Sequence, residues 1–170
     1  NDSSTGFVTK LWFFQETLLR SANFFNLSKQ QILEIKETMT SLNTSVIIIA
    51  AGLGSRLKKY TDNLPKCMLD FAGKTLLQRQ LEAFKINGLN KISVIRGFKK
   101  EKINYPDLTY FENPEYKNNN ILNSLMYAED ALNGHVIVSY SDILFEKEVV
   151  ERLMESEQDI SIVVDIDWRG

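Results

Sequence analysis

Arg56 and Lys66 lie beyond a small, flexible stretch, Ala50-Ala51-Gly52-Leu53-Gly54-Ser55. Glycines at 52 and 54 let the backbone approach a ligand closely and aim its N–H groups at it. Arg56 brings a forked, permanently charged guanidinium that suits phosphate oxygens. Lys58, Lys59 and Lys66 add positive charge, and Asp62 is the only acid between residues 46 and 66. The chain as a whole has a net charge of -2. A basic loop on a mildly acidic protein points to a small anionic ligand and gives no reason to expect nucleic acid. Taken alone, the loop also reads as a glycine-rich turn with a solvated basic face.

Two familiar phosphate motifs fail here. Gly52-Leu53-Gly54-Ser55-Arg56-Leu57 begins like the dinucleotide fingerprint, but Leu57 stands where the third glycine belongs. Gly73-Lys74-Thr75 ends like a P-loop, but its first glycine would fall at Met68, and no strand leads directly into it.

The elements that must position these residues follow from periodicity. Val46-Ile47-Ile48-Ile49 is a β-branched run without alternation, as suits a strand covered on both faces. From Ser45 onward strands are predicted at 45–50, 91–96, 108–112, 135–140 and 160–165. Helices are predicted at about 74–87, where Leu77, Leu81 and Phe84 share a face, and at about 120–132 and 147–156. This alternation predicts an α/β, Rossmann-like, mainly parallel sheet with helices on both faces. Ligands of such sheets bind beyond the carboxyl ends of the strands.

Residues 1–43 differ and read as a helical N-terminal extension or linker, ahead of a domain at 44–170. Phe7, Leu11, Phe14 and Leu18 recur at helical spacing, with Trp12 and Leu19 beside them. A second helix opens at Ser28, where Ser28 and Gln31 can form a capping box, and continues with Ile32, Ile35, Met39 and Leu42. Such helices would pack as a hairpin on the domain, form a homodimer contact, or be the stub of a fused neighbouring domain. The chain starts without methionine and stops at Gly170 soon after an expected strand, so it reads as part of a longer polypeptide. The single cysteine, Cys67, excludes an internal disulfide and fits a reducing, cytoplasmic compartment. No apolar run approaches a membrane span, and the start lacks the layout of a signal peptide.

The segment AAGLGSRL followed by PKCML resembles the signature of the nucleotidyltransferases that include the sugar-phosphate nucleotidylyltransferases, with their GT-A type fold. The stretch NPEYKNNNILNSLMYAEDAL followed by VIVSYSDILF is most similar to the small cytidylyltransferases acting on phosphocholine or 2-aminoethylphosphonate. The resemblance runs from about Ser45 to the end of the chain.

That resemblance implies a cradle for a nucleoside triphosphate, with CTP favoured, built by Ala50, Ala51, Gly52, Gly54 and Ser55. Arg56 would contact the phosphates that leave as pyrophosphate, and Lys66 the α-phosphate. Asp142, after the expected strand 135–140, would hold Mg²⁺, an ion that prefers hard oxygen ligands; a Ser-Asp pair there also suits a simple turn cap. Asn120 and Ser124 resemble nucleotide-contacting residues, although Asn120 serves equally as the N-cap of the next helix.

On the acceptor side, Asp165, Asp167 and Trp168 would suit an ammonium head group through carboxylate and cation–π contacts, or they simply end a strand. A second metal-binding carboxylate is expected beyond residue 170. Arg96 either contacts the ligand or reaches solvent. His135, Cys67 and Tyr140 read as structural, Tyr140 with an equal claim to touch substrate. The implied reaction is Mg²⁺-dependent transfer of CMP from CTP to a small phospho- or phosphono-amine, with release of pyrophosphate. A sugar-1-phosphate nucleotidylyltransferase and a non-catalytic nucleotide-binding module are the alternatives.

Overall fold

The β-branched run at 46–49 does become a buried strand. In the computed structural model, which describes residues 28–54, 57, 60–118 and 120–166, Thr44–Ala50 forms β1 and each of its residues is buried. It follows directly on α1 (Lys29–Asn43), the helix that opens at Ser28. The capping box there is formed in both directions. The Ser28 N–H donates to Gln31 Oε1 at 2.9 Å and the Gln31 N–H to Ser28 Oγ at 3.2 Å. The expected helix through Phe7, Leu11, Phe14 and Leu18 lies outside the described residues. The chain divides into two compact units, Asn1–Met39 and Thr40–Gly170.

The second unit carries the sheet. After a short hairpin, β2 (Asp70–Phe71) and β3 (Lys74–Thr75), come α2 (Leu76–Ile86), β4 (Ile92–Arg96) and β5 (Thr109–Glu112). Then follow α3 (Ile121–Met126), β6 (His135–Tyr140) and α4 (Lys147–Glu155). The main sheet has the order β5-β4-β1-β6, and its three strand pairs are all parallel. Register sets the working edge: Ala50 pairs with Arg96, Arg96 with Glu112, and Ile49 with Tyr140. The four strands therefore end level, and the loops at 51, 97, 113 and 141 leave from one edge.

Alternate side chains of β1 serve opposite faces, as the two-residue strand period requires. Val46, Ile48 and Ala50 pack with Leu77, Leu81 and Phe84 of α2 and Val150 of α4. Ile47 and Ile49 pack with Ala128, and Leu125, Ala131 and Leu132 cover that side. Helices thus lie on both faces of the sheet, and Leu77, Leu81 and Phe84 form the shared face their spacing predicts. Among the described residues no helix is long and apolar enough to cross a membrane.

The structure corrects three elements. The helix expected from 74 begins at Leu76, because Asp70–Thr75 turns back as a hairpin through Ala72 (φ 52°) and Gly73 (φ 81°). Thr75 then caps the helix, its Oγ1 accepting from the Gln78 N–H at 3.0 Å. The helix expected over 120–132 ends at Met126 and tightens into a 3₁₀ turn at Glu129–Ala131. Ile121, Leu122 and Met126 stay exposed, so no continuous apolar stripe sustains a longer helix. The strand expected at 160–165 is not formed. Those residues are irregular, with Ile160 82% and Ile162 80% exposed, and they pair with no strand among the described residues.

Candidate functional site

At the end of β1, Ala50 and Ala51 are buried. The Phe98 N–H donates to the Ala51 carbonyl at 3.1 Å. A Cβ on Gly97 would stand 2.7 Å from that same oxygen and 2.7 Å from Tyr116 Cβ. Gly97 is thus a glycine because β4 must deliver its loop against the β1 loop. The sequence reading did not single it out.

Gly52 and Gly54 answer to different demands. Gly54 has φ +63°, and a Cβ there would meet Thr61 Cγ2 at 3.1 Å. The Thr61 hydroxyl donates to the Gly54 carbonyl at 2.9 Å, folding the loop onto the segment that leads to Lys66. Among the described residues, a Cβ on Gly52 would meet nothing within 4 Å. Ser55, Arg56, Lys58 and Lys59 lie outside the described residues.

Lys66 begins a 3₁₀ turn, Lys66–Met68, set by Pro65, whose carbonyl accepts from the Met68 N–H at 2.9 Å. Cys67 anchors the turn at 1% exposure in the α2-side core. Burial pushes its thiol up to about 12, against smaller opposing hydrogen bonds that include one with Ser141. It therefore stays a neutral packing group at neutral pH.

The Lys66 ammonium reaches Asp142, Nζ to Oδ2 at 2.5 Å, with the two side chains 30% and 35% exposed. Asp142 sits in the turn just past β6. The Ser141 N–H extends the β1–β6 pairing by donating to the Ile49 carbonyl at 3.1 Å. The fold thus brings together a cation and a carboxylate that lie 76 residues apart in sequence.

Asn120 is the N-cap of α3, its Oδ1 accepting from the Asn123 N–H at 2.9 Å. Ser124 is buried, and its Oγ accepts from Asn113 Nδ2 at 2.9 Å. Arg96 takes a course the sequence did not suggest. Its guanidinium lies 3.9 Å from the centre of the Tyr110 ring, donates to the Ile103 carbonyl at 2.9 Å and pairs with Glu112. A cleft of about 810 Å³ opens beside it, lined by Gly97, Phe98, Glu112, Asn113 and Tyr116 among others.

Tyr140 is half exposed at the end of β6, and His135 opens that strand. Asp165 falls in the irregular stretch after α4, and Asp167 and Trp168 lie outside the described residues. No cluster of three or more His, Cys, Asp or Glu suited to a metal occurs among the described residues. Asp142 offers one hard carboxylate at the strand edge. That donor set fits Mg²⁺ delivered with a nucleotide, an ion usually held by one or two carboxylates plus phosphate oxygens.

Several known nucleotidyltransferases are similar to this chain. The CTP:phosphoglutamine cytidylyltransferase of Campylobacter jejuni is 33% identical over 135 residues, 73% of this chain and 53% of that protein. The 2-aminoethylphosphonate cytidylyltransferase of Lancefieldella rimae is 32% identical over 111 residues, 62% of this chain and 45% of its own. The solved CTP:phosphocholine cytidylyltransferase of Streptococcus pneumoniae superposes with a TM-score of 0.57 at 30% identity, covering 62% of this chain and 50% of that one. The chain spans about half the length of these relatives. Residues 46–169 match the MobA-like NTP transferase domain, the family to which this chain belongs.

Proposed function

We propose that the protein transfers CMP from CTP to a small phosphate- or phosphonate-bearing amine and releases pyrophosphate. The observation that carries this reading is the meeting of Lys66 and Asp142 at the level edge where the β1 loop leaves the sheet. The reaction needs cations and a metal-holding carboxylate around one phosphorus, since the protein has little covalent work to do in phosphoryl transfer.

The residues divide that work. Backbone N–H groups of the Ala51–Gly54 loop face the triphosphate, and the bare Gly52 backbone, which no described residue crowds, allows close approach. Arg56 holds the oxygens that depart as pyrophosphate. Lys66 neutralises charge on the α-phosphate as it develops. Asp142 would hold Mg²⁺, which when bound screens the phosphate charge and orients the reacting oxygens. An oxygen of the acceptor phosphate or phosphonate attacks the α-phosphorus in line; that bond forms as the bond to the pyrophosphate oxygen breaks. Asp165, Asp167 and Trp168 are the acceptor-side candidates, the acids and the indole suiting an ammonium head group.

Three similar proteins carry cytidylyl-transfer names with different phosphorylated or phosphonate acceptors. This supports CTP and leaves the acceptor as the point to test. With full chain, Mg²⁺ and CTP, pyrophosphate release is measured across phosphocholine, 2-aminoethylphosphonate, phosphoglutamine and sugar 1-phosphates. An amine-bearing acceptor preferred over every sugar phosphate is the expected result. Preference for a sugar phosphate, or for another triphosphate over CTP, would overturn the assignment.

A further inference from the structure

Gln80 is a polar residue inside the apolar face of α2, only 1% exposed between Leu77 and Leu81. A buried amide is tolerated where its hydrogen-bonding groups are satisfied. The partners of Gln80 all lie on one short piece of chain. Its Nε2 donates to the Tyr140 carbonyl at 2.8 Å and to the Ile143 carbonyl at 2.7 Å. Its Oε1 accepts from Ser139 Oγ at a longer 3.4 Å. Only the nitrogen end of the amide can serve two carbonyls, so this orientation is fixed by its surroundings.

Those two carbonyls bracket Asp142, one two residues before it and one just after. At the last residue of β6 and beyond it the chain leaves the ladder, and its carbonyls need partners from elsewhere. Gln80 supplies both from the helix that also packs on Cys67, next to Lys66. The same turn is also tied to β1 by the Ser141 N–H, which donates to the Ile49 carbonyl at 3.1 Å.

We propose that Gln80 is a positioning residue: it fixes the turn that presents Asp142, and through that turn the affinity for the metal–nucleotide complex. The assignment rests on the reading of Asp142 as the metal-holding carboxylate. Outer-shell groups that orient a metal ligand typically change metal affinity by about 10- to 100-fold when lost.

The test compares binding of Mn²⁺–CTP and of metal-free CTP in EDTA to the full chain by calorimetry, for the native protein, Gln80→Met, Gln80→Asn and Asp142→Asn. Met keeps the length without donors, and Asn keeps the amide but falls short of both carbonyls. Either Gln80 variant should bind Mn²⁺–CTP about tenfold more weakly and metal-free CTP within about twofold of native, a split that a general packing defect would not produce. Equal weakening of both ligands, unchanged Mn²⁺–CTP binding, or failure of both variants to fold overturns the proposal. Asp142→Asn separates the two claims. If it leaves Mn²⁺–CTP binding untouched, the metal role of Asp142 falls and this proposal with it. If it weakens binding while the Gln80 variants do not, only the role of Gln80 falls.

Discussion

Val46–Ile49 is an unbroken β-branched run and Ile160–Val164 is β-branched apart from Ser161, yet the two end in opposite states. Val46, Ile47 and Ile48 have no exposed surface in the centre of a four-stranded sheet. Ile160, Ile162 and Val164 are 70% exposed or more and form no strand. Composition is close; hydrogen-bonding neighbours differ. β1 is paired on both sides, by β4 and β6, and covered on both faces. Strand preference is therefore a statement about fitting a pleated, buried surface rather than about the backbone alone. The contrast extends to where they lead: the first run ends at the level edge beside Lys66 and Asp142, while the second runs on to Asp165 outside any strand.

This contrast can be broken by substitutions at each end of it. The largest effect belongs to the edge itself. Asp142→Ala and Lys66→Ala should each lower turnover by about 10²- to 10³-fold with the far-UV circular dichroism unchanged, the range seen when one preorganised oxyanion-stabilising donor is removed. Near-native rates would detach the site from the strand that leads to it.

Within the buried run, Ile48→Ala should destabilise by about 2–5 kcal/mol in urea unfolding, since it opens a cavity between β1 and α2. At the meeting of the β1 and β4 loops, Gly97→Ala should cost about 1–3 kcal/mol, because the new Cβ presses on the Ala51 carbonyl and Tyr116. In the exposed run, Ile162→Ser should change stability by no more than about 0.5 kcal/mol. A loss at Ile162 comparable to that at Ile48 would mean the two runs are equivalent in solution, and the comparison would fail.

Much of this frame is legible in the sequence. β1 is readable because a continuous β-branched run without polar alternation has few alternatives to a doubly covered strand. Leu77, Leu81 and Phe84 are readable from helical spacing, and the start of α1 from Ser28 and Gln31. The failures are equally physical. The run at 160–164 carries the signal of β1, and pairing, which no local pattern encodes, decides between them. The helix after Asn120 looks longer in sequence because nothing local reveals that Ile121, Leu122 and Met126 face outward.

For the site, the glycines and basic residues of the β1 loop announce an anion, but the meeting of Lys66 with Asp142 depends on the register of β1 with β6. The metal-holding role proposed for Asp142 rests on resemblance rather than on spacing. Gln80 was invisible because a glutamine in an amphipathic helix reads as solvated; only the two carbonyls it serves explain its burial. Gly97 likewise looks like an ordinary loop glycine until the Ala51 carbonyl and Tyr116 are seen around it.

The central claim is that the β1 loop and the Asp142 turn form one site that splits CTP between its α- and β-phosphates. It is tested most directly by following the full chain with CTP, Mg²⁺ and 2-aminoethylphosphonate or phosphocholine by ³¹P NMR. The account expects pyrophosphate and a CDP-linked product to appear in equal amounts, and only when metal, CTP and acceptor are all present. Release of orthophosphate instead, or no consumption of CTP with any amine-bearing acceptor, would contradict it.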